Sequence, residues 1–254
     1  MTNIILSGCG GRMGQAIIRA TADSDTTRIV AGVDINASAI AAACPFPVYG
    51  TIDEFPGKAD VIVDFSHHTA IATLAAYARK TNTPLVIATT GHTDEEKAEM
   101  RELSATVPVF FSGNMSIGIN LLMELCRTAS EALGTDFDVE IVEKHHNQKL
   151  DAPSGTALML ADAVAETRTE SRYVYDRQSV RQKRESAEIG IHSVRGGTIV
   201  GEHEVMFAGT NEIITLSHSA GSREIFATGA LRAAVYVAKK DPGMYNMSDL
   251  IRNR

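Results

Sequence analysis

The chain has 254 residues, enough for one large domain or two modest ones with real hydrophobic cores. An apolar fraction of 44 % and a charged fraction of 22 % exclude a disordered chain, and no apolar run reaches the ~18 residues of a membrane span. With 24 Lys+Arg against 31 Asp+Glu the net charge is −7, and an acidic chain without a basic cluster argues against nucleic acid as the main partner.

The first residues, MTNIILSGCGGRMG, have no basic stretch leading into a long apolar segment, so no signal peptide is expected. Residues 3–7 form a short apolar run ending in glycines, as a buried parallel strand does. Met13, Ala16, Ile17 and Ala20 then share one helix face. Residues 28–34 read as the next strand, ending at Asp34. Apolar strands are expected at 61–65, 85–88 and 107–111, with an Ala-rich helix over about 70–80. Thr93 with Glu96 three residues on reads as a capping box opening a helix to about Ala105. Strand–helix alternation at this spacing predicts a parallel sheet covered by helices on both faces, an α/β domain.

The rhythm changes after Phe111. A long helix is expected over 117–133, a strand over 137–142 and a second helix from Ser154 to Glu166. Strands at 189–194, 198–207 and 212–219 follow without intervening helices, the mark of a mostly antiparallel sheet and so of a second, α+β unit. Residues 173–185, the most polar stretch, read as a surface excursion. Residues 222–239 are helical again and apolar on one face, suited to pack back on the first domain. The cysteines Cys9, Cys44 and Cys126 show no CxxC spacing. They fit neither a disulfide framework nor a zinc site, and point to a reducing cytoplasm.

Two segments carry chemistry. The first strand runs into Gly8-Cys9-Gly10-Gly11-Arg12-Met13-Gly14, where glycines let the chain turn tightly and bring backbone N–H groups to a pyrophosphate at a helix N-terminus. Asp34, 20 residues after Gly14 at the end of the second strand, suits the ribose hydroxyls of a dinucleotide. The other segment runs EKHHNQKLDAPSGTA from Glu143. His145, His146 and Lys149 can exchange or donate protons, Ser154 can cap a helix, and the amides around Gly155 and Thr156 make an anion site. Together they describe a pocket for an anionic substrate that must also be protonated. Adjacent histidines on a strand point apart, and no third Cys or His stands near with ligand spacing, so no metal is expected.

With these residues the chain resembles the dihydrodipicolinate reductase family of the lysine pathway, over essentially its whole length. The resemblance is carried by GCGGRMG, Asp64-Phe65-Ser66, Ala88-Thr89-Thr90-Gly91, Ser112-Gly113-Asn114-Met115, EKHHNQKLDAPSGTA and SHSAGSREIFATGA. It implies an N-terminal Rossmann-type dinucleotide-binding domain (1–116 and 226–254) and an α+β substrate domain (117–225) that assembles a homotetramer in the cytoplasm. It implies cofactor contacts from Gly8, Cys9, Gly10, Gly11, Arg12, Met13 and Asp34, from the strand ends Phe65, Ser66, His67 and Ala88, Thr89, Thr90, and from Ser112, Gly113, Asn114 and Met115 beside the nicotinamide. His67 departs from the arginine some members carry there. By the same resemblance His145 exchanges and Lys149 donates a proton, while His146, Ser154, Gly155 and Thr156 bind substrate. The implied reaction is reduction of a cyclic unsaturated dicarboxylate to tetrahydrodipicolinate by NADH or NADPH. NADH is expected to serve at least as well, because Asp34 would repel a 2′-phosphate and Ile35 offers no compensating charge. Another two-domain NAD(P) dehydrogenase would lack the HHxxK…SGT combination, and a mere NAD(H) sensor would have no use for His145 and Lys149 as acids.

Overall fold

The computed structural model describes residues 1–22 and 24–252. In chain order the elements are β1 (Thr2–Ser7), α1 (Arg12–Ala22), β2 (Thr27–Val33), α2 (Ala37–Ile40), β3 (Val48–Tyr49), β4 (Val61–Asp64), α3 (Ile71–Thr81), β5 (Leu85–Ile87), α4 (Asp94–Ser104) and β6 (Pro108–Phe111). There follow α5 (Ile117–Leu133), β7 (Asp138–His145), α6 (Gly155–Ala165), β8 (Arg172–Val174), β9 (Glu188–Arg195), β10 (Gly201–Ala208), β11 (Ile213–Ala220), α7 (Glu224–Val237), β12 (Gly243–Tyr245) and α8 (Met247–Arg252). They form two compact units, one of residues 1–117 with the chain from Arg223 on, the other Gly118–Ser222.

The first unit is built on a seven-stranded sheet in the order β12-β6-β5-β4-β1-β2-β3, with every pairing parallel. Successive strand residues face opposite sides, so the two faces make two separate cores. Ile4, Leu6, Val61, Val63, Val86 and Phe110 pack with α1, α7 and α8, whereas Ile5, Ile62, Leu85, Ile87 and Val109 pack with α3 and α4. The α/β reading of the sequence is therefore what the chain adopts. Its capping box is also present: Thr93 Oγ1 accepts from the Glu96 amide at 3.2 Å, and Glu96 accepts from the Thr93 amide at 2.8 Å. The short strands β3 and β12 and helix α8 were not legible in the sequence pattern.

The second unit corrects one expectation. Its five-stranded sheet, in the order β11-β10-β7-β9-β8, is mixed and not mostly antiparallel: β7–β9 and β8–β9 are parallel, β10–β7 and β10–β11 antiparallel. The cause is the connection. Helix α6 carries the chain back along the sheet so that β8 runs in the direction of β7, the segment between β8 and β9 returns it again so that β9 does too, and β10 pairs with β7 on the side away from β9. The polar excursion between β8 and β9 is tied to this sheet. Arg177 bonds Glu188 at 2.7 Å and Glu140 at 2.9 Å, and Arg184 bonds Asp138 at 2.7 Å and Glu140 at 3.1 Å. On the opposite face α5 and α6 bury Leu122, Met123, Leu160 and Val164 against Val139, Ile141, Val205 and Phe207.

Within the first unit, α7 passes so close to the segment after β6 that a Cβ on Gly229 would collide with the Met115 carbonyl. Because the obstacle is backbone, Gly229→Ala is expected to destabilise the first unit by about 1–3 kcal/mol, read as a lowered midpoint in denaturant or thermal unfolding.

Candidate active site

In an open parallel sheet, ligands bind beyond the carboxyl ends of the strands. The first unit gathers there the glycine loop after β1, Asp34 after β2, residues 65–67 after β4, 88–90 after β5 and 112–115 after β6. A cavity of about 580 Å³ is lined by Gly8, Gly10, Gly11, Asp34, Phe65, Ser66 and His67 among others. Gly8 has φ +77°, and a Cβ there would stand 2.6 Å from the Phe65 carbonyl oxygen, so only glycine lets the loop turn over β4. Asp34 fixes the loop from the other side: its carboxylate accepts from the Gly10 amide at 2.9 Å and from the Asn36 amide at 2.9 Å. A glycine turn leading into a helix N-terminus, with a carboxylate on its rim, fits a nicotinamide dinucleotide.

The remaining residues expected at the cofactor do not all line this cavity. Cys9 lends the loop only its backbone, since its side chain is in the core and burial, followed by neighbouring Cys44, pushes its thiol up to about 12. Arg12 is exposed at the start of α1, and Met13 packs on the core beneath it. His67 bonds Thr69 Oγ1 at 2.9 Å through Nδ1. Ala88 adjoins the α7 core and Thr90 is exposed, while Thr89 is buried. Ser112 and Asn114 brace each other, Ser112 Oγ donating to the Asn114 carbonyl at 2.8 Å; Met115 is buried and Gly113 exposed. Asp64, part of one segment that carries the resemblance, was expected to have no role of its own. Its buried carboxylate accepts from Ser66 Oγ at 2.5 Å and Thr89 Oγ1 at 2.6 Å, joining two of these loops.

In the second unit β7 extends to His145, so the two histidines straddle the strand's end. His145 is buried, and His146 is half-buried with Nδ1 lacking a hydrogen-bond partner among the described residues. Two residues before His145, on the same strand face, lies Glu143, with 0 % exposure. It accepts from His145 Nδ1 at 2.6 Å, from Arg195 Nη1 and Nη2 at 2.8 and 2.6 Å, and from the Ser154 amide at 3.1 Å. Burial alone would raise its pKa. The hydrogen bonds from Arg195, Ser193, His145 and Ser154 outweigh that and hold it at about 2. His145 is lowered, chiefly by burial, with Lys149 and Arg195 adding repulsion and Glu143 opposing.

Lys149 Nζ rests 2.8 Å from Asp151 Oδ1, and Arg195 Nη2 donates to the Asp151 carbonyl at 2.7 Å. Ser154 caps α6, accepting from the Ala157 amide at 3.2 Å, and its Oγ lies 3.1 Å from His203 Nε2. Burial, and then the charge of His145, bring His203 down to about 4, so it is neutral near pH 7. Gly155 and Thr156 form the first turn of α6. The second unit thus ties His145, Arg195 and the start of α6 together through one carboxylate. Glu143 was findable as a Glu-x-His pair on one strand face; Arg195 and His203 arrive only through the sheet register.

Comparison with known proteins agrees with this arrangement. The model of the dihydrodipicolinate reductase N-terminus matches residues 2–115, and that of the C-terminus matches residues 118–251. The chain belongs to the dihydrodipicolinate reductase family. It is 50 % identical over 253 residues to the 4-hydroxy-tetrahydrodipicolinate reductase of Caldanaerobacter subterraneus subsp. tengcongensis, covering 99 % of each chain. Against the enzyme of that name from Clostridium novyi it is 46 % identical over 254 residues, covering 100 % of both. Among solved structures it is similar to the dipicolinate-bound dihydrodipicolinate reductase of Paenisporosarcina sp. TG-14, with TM-score 0.80, 26 % identity and 97 % of both chains covered. Likeness at 16 % identity to GenD2 from gentamicin A biosynthesis, solved with NAD, shows the fold alone (TM-score 0.61, covering 98 % of this chain and 90 % of that one).

Proposed function

We propose that this chain reduces the cyclic dicarboxylate 4-hydroxy-tetrahydrodipicolinate to tetrahydrodipicolinate with NADH or NADPH, the 4-hydroxyl leaving as water, a step of lysine and diaminopimelate biosynthesis in the cytoplasm. The observation that carries this reading is the union, through Glu143, of His145, the Lys149 loop and the α6 N-terminus. In the first unit the glycine loop, Asp34 and the ends of β4, β5 and β6 hold the dinucleotide, which supplies the hydride when bound. In the second unit the amides of Gly155 and Thr156 hold a substrate carboxylate, and His146 adds a contact. Lys149 donates the proton that completes the reduction, and its charge steadies the dianion. His145 exchanges a proton beside it.

The test is a coupled assay that generates the substrate in situ and follows NADH consumption. Lys149→Ala and His145→Ala are each expected to lose at least ~100-fold in kcat while remaining folded by circular dichroism. A folded variant with near-wild-type turnover would remove that residue from the chemistry. Substitutions at Thr156 are expected to raise KM more than they lower kcat, since helix-start amides hold the ground state as well as the transition state.

The cofactor preference follows from the end of β2. Asp34 repels a 2′-phosphate, and Ile35, 93 % exposed, brings no charge to offset it. Exposed Arg12 keeps the preference modest. At saturating dicarboxylate, kcat/KM with NADH is expected to equal or exceed that with NADPH; a clear NADPH advantage would mean that Arg12 outweighs Asp34.

The active form is a homotetramer assembled through the second unit. Its edge strand β11 leaves Ile213 62 % and Ile214 37 % exposed, an open edge of the kind that pairs with another copy. Light scattering at micromolar concentration is expected to give four times the chain mass, and an active monomer would overturn this.

A further inference from the structure

Granting that His145 exchanges a proton with substrate, what decides which of its nitrogens does so is on the page. Nδ1 lies 2.6 Å from Glu143, a carboxylate with no solvent exposure that is already ionised and so can only accept. Glu143 in turn cannot swing away, because Arg195 grips both of its oxygens at 2.6 and 2.8 Å, and the Ser154 amide holds one of them at 3.1 Å. At the ring's other nitrogen a Cβ on Gly201 of β10 would stand 3.1 Å from Nε2, so the glycine there leaves room beside it.

We propose that Glu143, clamped by Arg195, is a positioning residue for His145: it keeps the imidazole in the tautomer with hydrogen on Nδ1, leaving Nε2 to exchange the proton. Arg195 acts as the counterweight. By sharing the Glu143 charge it prevents the carboxylate from locking His145 as a permanent imidazolium, so the ring can both give and take a proton. The charged and titratable groups facing His145 are Glu143 on β7, Lys149 in the loop after it, Arg195 at the end of β9 and His203 on β10, behind which lies His218 on β11.

The two partners predict shifts of opposite sign. In Glu143→Gln the imidazolium loses the anion at its Nδ1 while Lys149 and Arg195 remain, so His145 is expected to titrate about one pH unit lower. In Arg195→Met one repulsion disappears and Glu143 is left with His145 as its principal counter-ion, so His145 is expected to titrate about one pH unit higher. The readout is ¹⁵N–¹H NMR of the histidine rings in the full-length protein, with His145 assigned by its loss in His145→Ala. In the wild type the neutral ring is expected to show the Nδ1–H tautomer.

A purely structural role for the pair would leave the His145 titration unmoved or move it the same way in both variants, and either result overturns the proposal. So does a neutral wild-type ring with hydrogen on Nε2. Should Glu143→Gln not fold, an unmoved or lowered titration in Arg195→Met is itself decisive against it. Because the readout needs no turnover, it separates this proposal from the reductase reading. A wild-type chain without reductase turnover would sink the latter while leaving the measured shifts intact.

Discussion

A carboxylate without solvent exposure stays charged in a protein interior only when its oxygens are paired, and Glu143 imposes that requirement on the second unit. Meeting it recruits Arg195 from β9, the Ser154 amide at the start of α6, and His145 from the same strand. Each of these then holds something further. Arg195 braces the Asp151 carbonyl, Asp151 pairs with Lys149, and Ser154 caps α6 beside His203. The first unit repeats the device on a smaller scale, with buried Asp64 joining Ser66 to Thr89 across two strand ends. In both units a buried acid near the carboxyl end of a strand converts loops into fixed geometry. Such preorganisation is what electrostatic catalysis and ligand binding require.

Legibility in the sequence tracked how local the cause was. The parallel sheet was readable because its strands are buried on both faces and appear as unbroken apolar runs between helices. The capping box at Thr93 and the turn at Gly8 were readable because they depend on residues within a few positions. The order of the second sheet was not. Consecutive strands suggest hairpins, yet β9 and β10, though opposite in direction, are parted by β7, a placement that no local residue pattern records. Strands of two and three residues, β3 and β12, leave no periodicity to detect.

The site divides in the same way. His145, Lys149 and the Ser-Gly-Thr helix start are contiguous, so their chemistry shows in the chain. Arg195 reaches Glu143 because the parallel register sets His145 opposite Arg195, a fact held jointly by two strands 50 residues apart. The excursion between β8 and β9 was read as polar surface for a related reason. Its composition is that of a loop, but Arg177 and Arg184 meet Glu140, Glu188 and Asp138 only after the sheet exists. Burying part of that ionic network is tolerable because each acid faces a guanidinium fork.

Asp34 carries two duties that the sequence presents as one. As a rim carboxylate it is the proposed partner of the ribose. As an acceptor for the Gly10 amide it also sets the path of the glycine loop, while its other oxygen organises the turn at Asn36. Its charge and its geometry are therefore coupled. Replacing the carboxylate would also release the glycine loop it anchors, whereas adding a cation at exposed Ile35 would leave both hydrogen bonds in place. On the proposed reading, cofactor choice is thus more readily altered beside the carboxylate than at it, because the residue proposed to discriminate also builds the loop.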